Sequence, residues 1–179
     1  MTDSRPRLRR PAIWAATTAL ATAMLALAPT PAQAAPPTLL ECLGTETTTY
    51  HPGLTFQPKD ITITTDERLT SCVDGAGQVT GGWYGTQFTI HVGCNDLLDP
   101  FQDTRVFHWS TGDTSTFSES AATNAVAGQI ITTLTGTVTA GRFQGHTTVR
   151  VTTLLQPSLL LCLTTGVTTA TGVTTLTII

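Results

Sequence analysis

The chain has 179 residues, of which 12% are charged, and its formal net charge is −3 at neutral pH. Residues 35–179 alone carry five Lys and Arg side chains against eleven Asp and Glu, a net charge of −6. Because an acidic chain without a basic stripe binds phosphates poorly, nucleic acid is excluded as an expected partner.

Residues 1–34 have the pattern of a secretory signal peptide. Four arginines precede the uncharged apolar run Ile13–Leu27, and Ala32-Gln33-Ala34 supplies small residues at the cleavage position. A transmembrane anchor is the alternative, but Pro29, Pro31 and the many Ala and Thr residues argue against it. We expect a cleaved signal peptide over 1–34, no membrane span afterwards, and one secreted, extracellular domain over 35–179.

All four cysteines follow the expected cleavage position, and an even number in an exported chain predicts two disulfides. Of the three possible pairings we favour Cys42–Cys72 and Cys94–Cys162. These bonds would close loops of about 30 and 68 residues and contribute roughly 3.5 and 4.5 kcal/mol by loop-closure entropy. A zinc site is disfavoured because no C-x2-C pair is present.

Threonine alternates with β-branched and apolar residues along much of the chain, which predicts strands. The clearest pair is a hairpin of Gln129–Thr139 and Arg142–Thr153 around Ala140-Gly141. Its first strand is predicted to turn Ile130, Leu134 and Val138 inward. Its second strand is predicted to turn Phe143, Val149 and Val151 inward, and Arg142, Gln144, His146, Thr148 and Arg150 outward.

Further strands are predicted on the same grounds, separated by Gly, Pro and Asp turn signals. They are Thr38–Gly44, Thr45–Tyr50, Ile61–Thr65, Gln87–Cys94, Thr104–Trp109, Ser115–Glu119, Leu159–Thr164 and Thr168–Ile178. One inward face is formed by Phe88, Ile90 and Val92. Eight to ten short strands describe an all-β fold with an antiparallel β-sandwich, Ig-like or barrel-like, stapled by two disulfides; we favour the sandwich over the barrel.

Several motifs together resemble a group of small secreted actinobacterial proteins that are cysteine-containing, all-β and of unassigned function. The motifs are Cys42-x-Gly44, Tyr50-His51-Pro52-Gly53-Leu54-Thr55, Trp109-x-x-Gly112-x-Thr114-Ser115, Gly136–Gly145 and Gly172–Ile178. The resemblance covers nearly all of residues 35–179. It implies export, disulfides and β structure, and it supplies no catalytic residue.

Two histidines are the first candidates for chemistry. His91 and His108 are both predicted to point outward, and across a hairpin they would face each other and hold a metal with Asp96, Asp99 or Asp103. Two solvated strand histidines are the simpler interpretation, because alternation places side chains outside without any function. We favour this second interpretation and predict no metal and no cofactor.

Two weaker binding sites are also considered. Arg142, His146 and Arg150 would share one outward face that suits an anion, although an ordinary polar face is the simpler interpretation. In the acidic loop, Asp96–Asp103, the side chains of Leu97, Leu98 and Phe101 are predicted to tuck beneath the loop, with an adhesive tip as the alternative.

No catalytic residue is assigned, and an enzyme is disfavoured. The leading hypothesis is a non-enzymatic extracellular module that binds a protein or a cell-envelope glycan through its loops. One alternative is a small secreted hydrolase or metal-dependent enzyme that uses His91, His108 and the acidic loop. The other is a carrier of a small apolar ligand, which a sizeable apolar interior cavity would favour.

Overall fold

The computed structural model describes residues 39–179, so the predicted signal peptide lies outside the described residues. These residues form eight strands, a 3₁₀ helix over Cys94–Leu98 and one short helix, α1, over Leu159–Leu163. The strands are β1 (Leu40–Leu54), β2 (Lys59–Asp74), β3 (Gly82–Val92), β4 (Phe101–Trp109), β5 (Thr114–Val126), β6 (Gln129–Gly141), β7 (Thr147–Leu155) and β8 (Val167–Ile178).

The strands form a closed antiparallel barrel. Each strand pairs with the next in sequence, and β8 returns to pair with β1, with Leu40 opposite Ile178. The all-β prediction is confirmed, whereas the sandwich is wrong. Many strands are longer than predicted. The two strands predicted over Thr38–Gly44 and Thr45–Tyr50 are, from Leu40 on, one strand, which continues through a register shift between Leu43 and Gly44.

The predicted hairpin is present as β6 and β7, and the inward face of Ile130, Leu134 and Val138 is confirmed. However, β7 begins at Thr147 and not at Arg142. Gly141, Phe143 and Gly145 have φ values of 81°, 63° and 89°. Positive φ values are incompatible with a β-strand, so the backbone between β6 and β7 forms a turn.

The prediction for the faces of β7 is wrong. Thr148, Arg150 and Thr152 are buried inside the barrel, and Val149 and Val151 lie on the outer face. The prediction assumed that the apolar residues of the alternating pattern face inward. This part of the interior is instead polar, and a carboxylate there accepts hydrogen bonds from Thr148 and Arg150. Burial of a polar side chain is tolerated where such partners are present.

The predicted strand Leu159–Thr164 is also wrong, because these residues include the helix α1. The hydroxyl of Ser158 accepts a hydrogen bond from the backbone N–H of Leu160, which caps the helix at its start. No helix within residues 39–179 is long and apolar enough to cross a membrane.

The barrel interior is divided into three levels. At one end lies an aromatic core, built from Tyr84, Phe107, Trp109, Phe117 and aliphatic residues. At the other end lies an aliphatic cluster of Leu54, Ile61, Ile63, Cys162 and Val167. Buried charged residues lie at the level between them.

Both favoured disulfides are present. Cys42 and Cys72 lie directly opposite each other on β1 and β2, at the end of the barrel that holds the aromatic core. Cys94–Cys162 links the 3₁₀ helix to α1 at the other end. Two disulfides are consistent with an extracellular protein.

Candidate functional site

The barrel contains a cavity of about 510 Å³ at the end covered by the aliphatic cluster. Its walls are mainly apolar and include Leu54, Ile63, Ile130, Leu134 and Leu154. Eight-stranded barrels are just wide enough either to be filled by side chains or to hold one small ligand. Here the aromatic core fills one end, and the other end remains hollow.

The barrel wall is open beside this cavity. β3 and β4 share only two residue pairs, Gly82 with Trp109 and Trp83 with His108, whereas β3 is paired with β2 along its whole length. Phe88 and Ile90 lie opposite the buried Ile63 and Ile61 on β2, so their side chains face inward, as predicted. They are nevertheless 44% and 43% exposed. Beside the cavity, the barrel wall between β3 and β4 is therefore not closed by backbone pairing.

The floor of the cavity is charged. The guanidinium group of Arg105 donates to carboxylates on three sides, with Nη1 at 2.7 Å from Glu46 and 2.6 Å from Glu67, and Nε at 2.6 Å from Asp103. It also lies over the ring of Tyr84, at 4.6 Å from the centroid. These contacts hold Arg105 in one orientation.

Arg150, on β7, donates to two of these carboxylates and to a further one. Its Nη2 donates to Glu119 at 2.7 Å and to Asp103 at 2.9 Å, and its Nη1 donates to Glu67 at 3.3 Å. The side chain of Arg150 is fully buried. The two arginines and their carboxylates therefore form one network that spans the barrel interior.

Burial shifts the pKa of groups in this network and of Tyr50, which lines the cavity. It raises the pKa of Glu67, although Arg150 and Arg105 lower it. Burial also acts to lower the pKa of Arg105, but Glu46 and Glu67 raise it above its ordinary value, so this guanidinium keeps its charge. Burial, with the charge of Glu46, raises the pKa of Tyr50 to about 12, so its hydroxyl stays protonated at neutral pH.

Thr152 lines the cavity and has a buried hydroxyl group. Its side chain is buried, and its Oγ1 has no hydrogen-bond partner within residues 39–179. A buried hydroxyl without a partner costs about 1 to 3 kcal/mol, so this atom is a candidate contact for a bound molecule.

The structure does not bring the metal candidates together. His108 stacks on Trp83, and His91 lies eight residues further along β3, roughly 26 Å away at the usual rise per residue. His91 Nδ1 instead lies 3.0 Å from the exposed Asp60. Asp96 accepts a hydrogen bond from the backbone N–H of Gly93, just before the 3₁₀ helix, and Asp103 contacts the buried arginines. No metal-binding group of three is found among the described residues.

The predicted anion face is also not assembled. Arg142 lies in the turn after β6 and pairs with Asp113, His146 lies in the same turn, and Arg150 is inside the barrel. The shared outward face required Arg142 and Arg150 to lie on one strand, and the turn that follows β6 separates them.

The apolar residues of the acidic loop differ in burial. Leu97 packs against the aliphatic cluster, as predicted, and also lines the cavity. Leu98 and Phe101 are 44% and 45% exposed, so the prediction that they tuck beneath the loop is wrong. Phe101, the first residue of β4, lines the cavity. Further exposed leucines lie nearby in the segment around α1, namely Leu155, Leu159, Leu160, Leu161 and Leu163.

The floor residues were missed by sequence reasoning, except that Asp103 and Arg150 were assigned to other sites. A signal for them exists. Glu67, Arg105 and Glu119 each lie two positions from a buried apolar residue of the same strand, which places them on the inner face. A single charged residue in such a position argues against burial, and only the set from several strands shows that carboxylates and guanidinium groups pair inside the barrel.

Comparison with known proteins gives no family for this chain. No family model, no curated protein and no solved structure matches it.

Proposed function

We propose that this protein is an extracellular binding protein that holds one small, mainly apolar molecule inside its barrel. The observation that carries the proposal is the cavity of about 510 Å³ with apolar walls and an opening between β3 and β4. Its size falls within the range of known small-molecule sites, about 300 to 1,000 Å³. The two disulfides and the signal-like sequence of residues 1–34 support export.

Binding to a protein or a glycan through the loops stays a prediction. One observation favours a protein partner: the leucines around α1 are exposed. Exposed apolar patches often mark contact sites with other proteins. The enzyme alternative has no comparable support, because its two histidines lie on distant parts of the barrel.

The proposal can be tested with N-phenyl-1-naphthylamine, a neutral apolar dye that fluoresces strongly in apolar surroundings. We expect saturable binding of one dye per chain. Ala170 lines the cavity, so Ala170→Trp should fill part of it and weaken binding about tenfold or more. Thr171→Trp is the matched control, because this neighbouring side chain is exposed on the outer face. Absence of saturable binding to the wild-type protein, or equal effects of the two tryptophans, would contradict the proposal.

A further inference from the structure

The charges beneath the cavity do not balance. Within the network, ion-pair distances run from 2.6 to 3.7 Å, and four carboxylates surround two guanidinium groups. The carboxylates belong to Glu46, Glu67, Asp103 and Glu119, and the guanidinium groups to Arg105 and Arg150. With all six ionised, two negative charges remain in excess. A proton on Glu67, whose pKa burial raises, would still leave one.

The two inner carboxylates already use both oxygens. Glu67 accepts from Thr174 on Oε1 and from the arginines on Oε2, and Glu119 accepts from Thr148 on Oε1 and from Arg150 on Oε2. Their remaining negative charge is therefore enclosed by protein donors, as buried carboxylates require.

The excess charge faces the cavity at Glu46 and Asp103, which both line it. The guanidinium hydrogen bonds to these residues all end on one oxygen of each, Oε2 of Glu46 and Oδ2 of Asp103. Oε1 of Glu46 and Oδ1 of Asp103 remain for other donors. Because the side chains of Glu46 and Asp103 are only 8% and 15% exposed, water solvates them poorly.

Thr152 provides an independent indication of a missing partner. Its buried Oγ1 has no hydrogen-bond partner within residues 39–179, and its side chain lines the cavity two residues along β7 from Arg150. A hydroxyl can accept a hydrogen bond from an N–H group of a ligand or donate one. The unused oxygens and this hydroxyl together make the floor rich in acceptors.

We propose that the bound molecule is a small amine, whose ammonium group contacts Glu46 and Asp103 and whose apolar body fills the space above them. This inference rests on the proposed function. An ammonium group has three donors and a positive charge, so it satisfies the unused oxygens and reduces the excess charge. A ligand carboxylate is disfavoured because it would add a further negative charge beside Glu46 and Asp103, and Nε and Nη1 of Arg105 already donate to three protein carboxylates.

Three fluorescent probes with the same apolar part separate the possibilities. Dansylcadaverine ends in a primary amine, N-pentyl dansylamide ends in a methyl group, and 6-(dansylamino)hexanoate ends in a carboxylate. We expect the amine to bind at least about tenfold more tightly than the methyl probe at pH 7, and the carboxylate to bind most weakly. Titration of the full secreted protein, followed by dansyl emission, measures all three affinities.

Glu46→Gln should reduce the preference for the amine over the methyl probe towards one. Glu41→Gln is its matched control, because it removes the same charge from an exposed position on the same strand and should keep the preference. If Glu46→Gln does not fold, the probe ratio of the wild-type protein still decides. Equal binding of the amine and methyl probes, or tighter binding of the carboxylate, would overturn the amine inference and leave the binding cavity standing. If no probe binds, both the cavity function and the inference are wrong.

Discussion

Glu67 is the most enclosed of the carboxylates in the barrel, and its pKa links the buried network to pH. Its side chain is fully buried between Arg105 and Arg150, with Thr174 bonded to its second oxygen. Burial nevertheless raises the pKa of Glu67 above its ordinary value. Removing one charged partner from such a network lowers the free energy of unfolding strongly, because it leaves a buried charge uncompensated. Replacing a carboxylate by a neutral group of the same shape lowers it less.

This raised pKa predicts a specific pH dependence for Glu67→Gln. Between the unfolded value, about 4.3, and the raised folded pKa, the folded state binds more protons at Glu67 than the unfolded state does, so this residue makes wild-type stability fall as pH rises. Glutamine lacks this effect. The free energy of unfolding of the variant, minus that of the wild type, should therefore increase with pH over this window.

Urea unfolding of both proteins from pH 4 to pH 8 measures this difference, with Glu41→Gln as an exposed control that should give a flat one. A difference that decreases with pH would show that the folded protein favours the ionised form of Glu67.

At the level of strands, β7 has its polar face inside the barrel and its valines outside. Arg150 is fully buried and contacts carboxylates from β2, β4 and β5, whereas Val149 lies opposite Thr135 and Thr177 on the outer surface. Arg150→Asp should therefore reduce stability by about 3 to 5 kcal/mol, because it leaves buried carboxylates without their cation.

Val149→Asp should cost about 1 kcal/mol or less, the range of strand propensity at a partly exposed position. Chemical denaturation of the two variants checks the pair, and a larger loss from Val149→Asp would mean that β7 faces the opposite way.

The strands could be predicted from the sequence, but the faces of some of them could not. Alternation of threonine with apolar residues located β6 and its inward residues Ile130, Leu134 and Val138. The same rule failed for β7, because it assumes an apolar interior, and Arg150 is buried only because carboxylates from other strands meet it. Barrel closure also depends on pairing between β1 and β8, a contact between distant parts of the chain that local patterns do not report.

At the level of the whole molecule, the two ends of the barrel have different tasks. One end is filled by stacked aromatic residues, such as Phe107 against Phe117 at 4.9 Å, and is bordered by the Cys42–Cys72 disulfide. The other end holds the cavity and is covered by loops that Cys94–Cys162 joins. In the proposed function, the filled end would keep the charged floor in place, and the bound molecule would enter the hollow end between β3 and β4.

Removal of each disulfide should therefore have a different effect on binding. Replacing Cys94 and Cys162 by alanine frees the 3₁₀ helix and α1, and with them Leu97 in the cavity wall. Replacing Cys42 and Cys72 by alanine acts on two paired strands away from the cavity.

Loop-closure entropy predicts that both double variants lose stability, by roughly 4.5 and 3.5 kcal/mol. Only the first should also weaken the binding of N-phenyl-1-naphthylamine to folded protein. Thermal melts and dye titrations at a temperature where both variants remain folded measure the two effects separately, and unchanged dye affinity without Cys94–Cys162 would show that these loops do not shape the cavity.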